Sequence, residues 1–158
     1  EPFSSASFIL QDRELAFWTG RNIYRREFKR HITPDDIVRF VGYSLDGRIS
    51  FVDGDKTIVP GVSVHLVGGH TPGSQVMRVE TTSGPIVLAA DASHLPENIG
   101  ADAPTSIFTD LPGVYNAFDR MIELAGGDIS RVFAGHEPGL LERLPAVPGL
   151  EGIVGVVA

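Results

Sequence analysis

Three short apolar runs, each ending in a metal-competent side chain, constrain this chain more than any other feature. The first is Val62 to Val67, in which Val62, Val64 and Leu66 alternate with Ser63, His65 and Val67. That two-residue period reads as a strand. Gly68 and Gly69 end it, because they allow backbone angles that a Cβ resists. His70 follows on the turn, with Pro72 and Gly73 fixing the loop behind it. The second run, Ile86 to Ala90, is continuous, as a buried strand requires, and Asp91 closes it. The third is Val132 to Ala134, broken by Gly135 and followed by His136. A histidine, an aspartate and a histidine thus stand just beyond three strand ends. Gathered at one sheet edge, such a set suits a divalent metal such as zinc, iron or manganese.

The rest of the chain supplies alternating strands and helices. Ser7 to Gln11 reads as a strand, and Asp12 as the cap of a helix over 13–18 that stops near Gly20. Phe17 and Trp18 on it read as core or as pocket wall, and the packing tendency of large aromatics favours core. Tyr24 and Phe28 lie four apart, the spacing of a shared helix face. Thr33-Pro34-Asp35-Asp36 opens another helix, with a hydroxyl cap, proline at the first position and acids near the positive helix end. Arg48–Val52, Thr57–Val59 and Val62–Val67 read as consecutive strands, with Asp53-Gly54-Asp55 as a hairpin turn. Ser74–Thr82 turns at Ser83-Gly84 into the strand ending at Asp91. The stretch from Pro96 to Pro112 is loop-rich, and a long loop beside the metal edge is placed to line a pocket. Val114, Ala117, Phe118, Met121 and Ile122 mark an amphipathic helix stopped by Gly126-Gly127. A helical turn within 138–144 and a last strand over 153–157 complete the reading. His65 reads as structural, His31 as a surface residue, and Glu97 and Glu137 as loop acids, solvated or supporting the site.

Composition narrows the function. The net charge of −7 leaves no basic stripe for phosphates, so nucleic acid is not an expected partner. The basic cluster at 21–30 reads as a solvated helix face. With no cysteine, a metal site must use histidines and carboxylates. No apolar run approaches membrane-spanning length, and a cytoplasmic protein is expected.

The motifs GHTPGS, LAADASH and FAGHEPG, in that order, resemble the second half of a metallo-β-lactamase-fold hydrolase. The likeness runs from about Ser7 to Gly152. The stretches DASHLPEN and GHEPGLLERLPAVPGLEGI look closest to the N-acyl homoserine lactonase-like branch. The resemblance implies a mixed α/β (α+β) fold, an αββα sandwich, with His70 on one metal, Asp91 bridging two, and His136 on the other. It implies two divalent metal ions, zinc or else iron, manganese or cobalt, and hydrolysis of a lactone or ester by a hydroxide held between them. A thioesterase or a β-lactamase on the same fold is the alternative.

Two departures qualify that picture. The family's HxHxDH motif is absent, since His31 is the first histidine and His65 the next. Residues 1–158 therefore read as the C-terminal portion of one domain. A complementary N-terminal segment is expected as a partner to cover a bare sheet face, and the chain alone is not expected to be active. A homodimer is compatible with the resemblance. The second departure is His94. The best-known lactonases of the family carry a tyrosine three residues after the bridging aspartate, against the lactone carbonyl. His94 at that position could donate a hydrogen bond or protonate the leaving oxygen as a catalytic group, or serve only a supporting role.

Overall fold

A computed structural model describes residues 3–157. The first strand, β1 (Phe8–Gln11), pairs in parallel with β2 (Ile49–Val52), from Phe8 opposite Ile49 to Gln11 opposite Val52. Parallel neighbours need a long crossover. Here it carries three helices, α1 (Asp12–Thr19), α2 (Arg26–Lys29) and α3 (Pro34–Leu45). The second sheet runs β3 (Lys56–Val59), β4 (Val62–Leu66), β5 (Gln75–Thr81), β6 (Gly84–Ala90) and β7 (Val132–Ala134) in that order. Its pairs are antiparallel except the last, β6 with β7. The crossover before β7 holds α4 (Pro96–Gly100), α5 (Leu111–Leu124) and a 3-10 turn at Ile129–Arg131. A short helix, α6 (Leu140–Arg143), follows.

The core lies between α5 and one face of the larger sheet. Val114, Ala117, Phe118, Met121 and Leu124 recur at helical spacing and are all buried. Val114, Phe118, Met121 and Leu124 pack in one cluster with Val76, Val87, Ala89 and Val132 from three strands. Burying a side chain such as Met121 or Val87 contributes roughly 1.5–3 kcal/mol. This packing fixes the ends of β6 and β7, and so the places where Asp91 and His136 emerge.

The opposite face of that sheet is apolar too. Val64, Met77, Leu88 and Phe133 stand in register across four strands. Val64 and Phe133 are buried, but Met77 and Leu88 remain about 40 % exposed, at 39 % and 40 %. The described residues therefore leave the middle of this row open.

Several local expectations give way to long-range packing. Asp53-Gly54-Asp55 is not a hairpin turn: β2 and β3 belong to different sheets. Gly54 is gripped by Gln11, whose amide donates to the Gly54 carbonyl at 2.8 Å and accepts from its N–H at 2.9 Å. The buried Gln11 also donates to Gln75 Oε1, and Gln75 donates to the Ile9 carbonyl, tying the two sheets together. Tyr24 lies in a turn ahead of α2 and is exposed, so it shares no helix face with Phe28. Asp12 is the first residue of α1, after Gln11 at the cap, and neither Gln11 nor Thr33 makes a side-chain cap bond. Residues 153–157 form no strand, only an isolated bridge between Ala146 and Gly155. No helix among the described residues is long and apolar enough to cross a membrane.

Candidate metal centre

His70, Asp91, His94 and His136 converge at one edge of the larger sheet, in the wall of a cavity of about 910 Å3. Each is aimed by its backbone. Gly68 and Gly69 adopt φ of 69° and 76°, as the strand-ending turn requires. A Cβ on Gly69 would lie 2.7 Å from the Val114 nitrogen, so the loop sits directly on the start of α5. His70 Nδ1 is 2.9 Å from the Ile107 carbonyl. A carbonyl only accepts, so Nδ1 carries the proton and Nε2 keeps its lone pair for a metal.

Asp91 follows Ala90, whose φ of 46° is left-handed. A non-glycine residue there costs roughly 1–3 kcal/mol, a strain typical of sites where direction matters. Gly135 crosses the same point: a Cβ on it would sit 2.3 Å from the Ala90 oxygen. The Gly135 N–H donates to the Ser93 carbonyl and the His136 N–H to the His94 carbonyl, both at 2.9 Å. The loops that carry Asp91 and His136 are thereby fixed to each other.

The side chains meet around the Asp91 carboxylate. His136 Nε2 lies 2.7 Å from Oδ1, and His70 Nε2 lies 3.8 Å from Oδ2. His94 stands beside both, with ring centroids 4.7 Å from His136 and 5.8 Å from His70. Burial pushes the His94 imidazole below its ordinary pKa, with His136 and His70 acting in the same sense and the Asp91 charge opposing them. Three imidazoles and one carboxylate form a donor set that fits a zinc-like divalent ion.

Two residues that sequence reasoning passed over hold the site. Glu14, from α1, accepts from the Thr71 hydroxyl at 2.6 Å and the Gly73 N–H at 3.1 Å, and from Trp18 Nε1 at 2.7 Å. Gly73 is glycine because a Cβ would come within 2.4 Å of the Glu14 nitrogen. Ile107 contributes only its carbonyl, which no side-chain pattern reveals. Phe17 and Trp18, for which core was the favoured reading, are half-buried and form part of the cavity wall with Phe28, Phe40 and Phe108. His31 also reaches that wall while remaining exposed. Glu97 is exposed on α4. Glu137 is no solvated acid: Arg143 donates to both its oxygens, at 2.6 and 2.9 Å, and holds its carboxyl below the usual range. His65 is structural, with Nδ1 2.9 Å from Asp55 and Nε2 2.8 Å from the Ser63 hydroxyl.

Residues 9–136 match the model of the metallo-beta-lactamase superfamily. The chain belongs to that superfamily. Among superfamily relatives, an N-acyl homoserine lactonase of Bacillus cereus is 34% identical over 136 residues, which is 85% of this chain and 48% of the relative. A second, from Bacillus sp, is 37% identical over 87 residues, 54% of this chain and 34% of the relative. A solved N-acyl homoserine lactone hydrolase, with N-hexanoyl-L-homoserine bound at its catalytic metal centre, superposes with a TM-score of 0.64 at 25% identity. That match covers 89% of this chain and 50% of the other. The chain thus spans from a third to a half of the relatives it matches, and its αββα fold is theirs in part.

Proposed function

We propose that this chain forms the His70–Asp91–His136 side of a two-metal hydrolase centre that opens lactone rings, with a homoserine lactone as the first candidate substrate. The observation that carries the reading is the Asp91 carboxylate, which offers one oxygen to His136 and the other to His70 in the wall of a cavity. That is the arrangement a bridging ligand needs. The identity to lactonases and the likeness to a product-bound lactone hydrolase support the substrate class.

Divalent metals, when bound, supply Lewis acidity and a hydroxide at neutral pH. The chain's own residues do the rest. The Ile107 carbonyl holds His70 in one tautomer, with Nε2 facing the cavity. Asp91 would supply a carboxylate and its negative charge to the bound cations, and His136 would supply a further imidazole ligand. Phe17, Trp18, Phe28 and Phe40 form an apolar wall that receives the acyl part of the substrate and excludes water there. The open Met77–Leu88 row supports a complementary N-terminal segment, which would also carry the remaining ligands.

The test is a panel of lactones, thioesters and β-lactams given to the metal-loaded full-length protein. Lactone hydrolysis that chelation removes is expected, with Asp91→Ala at least about 100-fold slower and still folded by circular dichroism. An Asp91→Ala protein of undiminished activity would sink the reading, and preference for a thioester or β-lactam would reassign the substrate.

A further inference from the structure

His94 stands outside the three-residue set just assigned, and its surroundings call for an explanation. Its Nε2 is buried and meets no hydrogen-bond partner among the described residues. A buried imidazole nitrogen without a partner has lost its water and gained nothing, a state that native structures rarely leave unused. The neighbours supply a reason. Asp91, His94 and His136 each bring one ligand atom to within 4.8 Å of the others. Two donors about 2.1 Å from a zinc-sized ion are at most roughly 4.2 Å apart, so small side-chain rotations close the set. The His94 and His136 rings meet edge to face at 62°, not stacked, which leaves their nitrogen edges free to converge. The backbone already fixes the pair, through the His136 N–H on the His94 carbonyl.

We infer that His94 is itself a metal ligand, and that with Asp91 and His136 it makes a one-ion site contained wholly within this chain. The inference rests on the reading of the cavity as a metal centre and adds a ligand to it. Two imidazoles and a carboxylate with open positions suit zinc, or iron(II). His94 then serves to hold the ion and not to face the substrate. The residue three places after the bridging aspartate would so change from a substrate contact into a ligand.

The experiment is titration of the chain with Zn2+ alone and Co2+ alone. Affinity is read by calorimetry, and bound histidines are counted from the hyperfine-shifted imidazole N–H resonances of the cobalt form. About one ion per chain is expected. Removing a group that only supports a ligand costs about 10–100-fold in affinity, so His94→Phe should weaken binding by about 100-fold or more and delete one histidine resonance. His94→Gln, which keeps a polar side chain against the possibility that Phe disturbs the fold, should lose the same resonance. Unchanged affinity and resonances in folded His94→Phe and His94→Gln proteins, with binding abolished by Asp91→Asn, would overturn the inference and leave the metal centre standing. No binding of either ion by the unaltered chain would overturn both.

Discussion

The two ends of this chain are built to different standards. In the C-terminal part, α5 alone buries five side chains against a five-stranded sheet. In the N-terminal part, α1, α2 and α3 together have no buried residue, and their sheet has only two strands. Aromatic contacts hold this second region instead: Phe8 stacks on Tyr43 at 4.9 Å, and Phe17 meets Phe28 edge-on at 5.1 Å. The division fits the proposed function. Metal ligands would have to keep their spacing to a fraction of an ångström, and the candidate ligands spring from the packed sheet. The wall that would face a variable acyl group sits on the looser helices.

Breaking the packed side should have the largest effect. Phe118→Ala should cost about 3–5 kcal/mol, because the cavity it leaves cannot collapse against a sheet. Phe40→Ala, on the half-buried α3, should cost about half of that. Chemical denaturation checks both, and equal losses would erase the distinction between the two regions. Next comes the seam that joins them. Glu14→Ala removes the acceptor of the Gly73 N–H and of the Thr71 hydroxyl, which keeps only its contact to Ser74. Leaving such a group unsatisfied costs about 1–3 kcal/mol. Metal affinity should fall with stability, and Glu14→Gln, which retains an oxygen, should recover most of both. A smaller effect belongs to the link between β4, α5 and the 53–55 turn. Burial raises the pKa of Asp55, but hydrogen bonds and charge from His65 and Arg120 outweigh it and hold the carboxyl below its ordinary value. A depressed carboxylate stabilises the fold above its unfolded pKa near 3.9, and that contribution is lost as pH falls through the folded value. Asp55→Asn should therefore flatten the acid limb of a stability-versus-pH curve and matter little once the pH has fallen below the folded value. Least of all should come Leu45→Ser on α3, where the side chain is 85% exposed: within about 0.5 kcal/mol by thermal melting. A larger loss would mean that this face of α3 is covered in solution.

The same division decides what could be read from the amino acids. Strand alternation in β4 and β5, the apolar run of β6 and the helical spacing of α5 are local periodicities, and each appears where its pattern placed it. That His70, Asp91 and His136 stand just beyond strand ends was legible, because glycines and apolar runs flank them within a few residues. What escaped depends on residues distant in sequence. Asp53-Gly54-Asp55 carries good hairpin chemistry, yet its glycine answers to Gln11, so the turn joins two sheets. Glu14 reads as an ordinary helix acid, since nothing near it signals a bond to Gly73. His94 was visible as a departure from a family pattern, but its buried nitrogen became visible only with its neighbours in place.

The close approach of Gly73 to Glu14, and of Gly135 to Ala90, has a consequence for anyone seeking to engineer the cavity of this scaffold. Libraries that randomise the ligand loops would consist largely of misassembled proteins, since at both glycines even a methyl group collides with main chain. Diversity is better spent on Phe17, Phe28 and Phe40, which shape the cavity wall from helices whose loss of packing the fold can tolerate. The positions open to change and the positions closed to it thus lie on different elements of the chain.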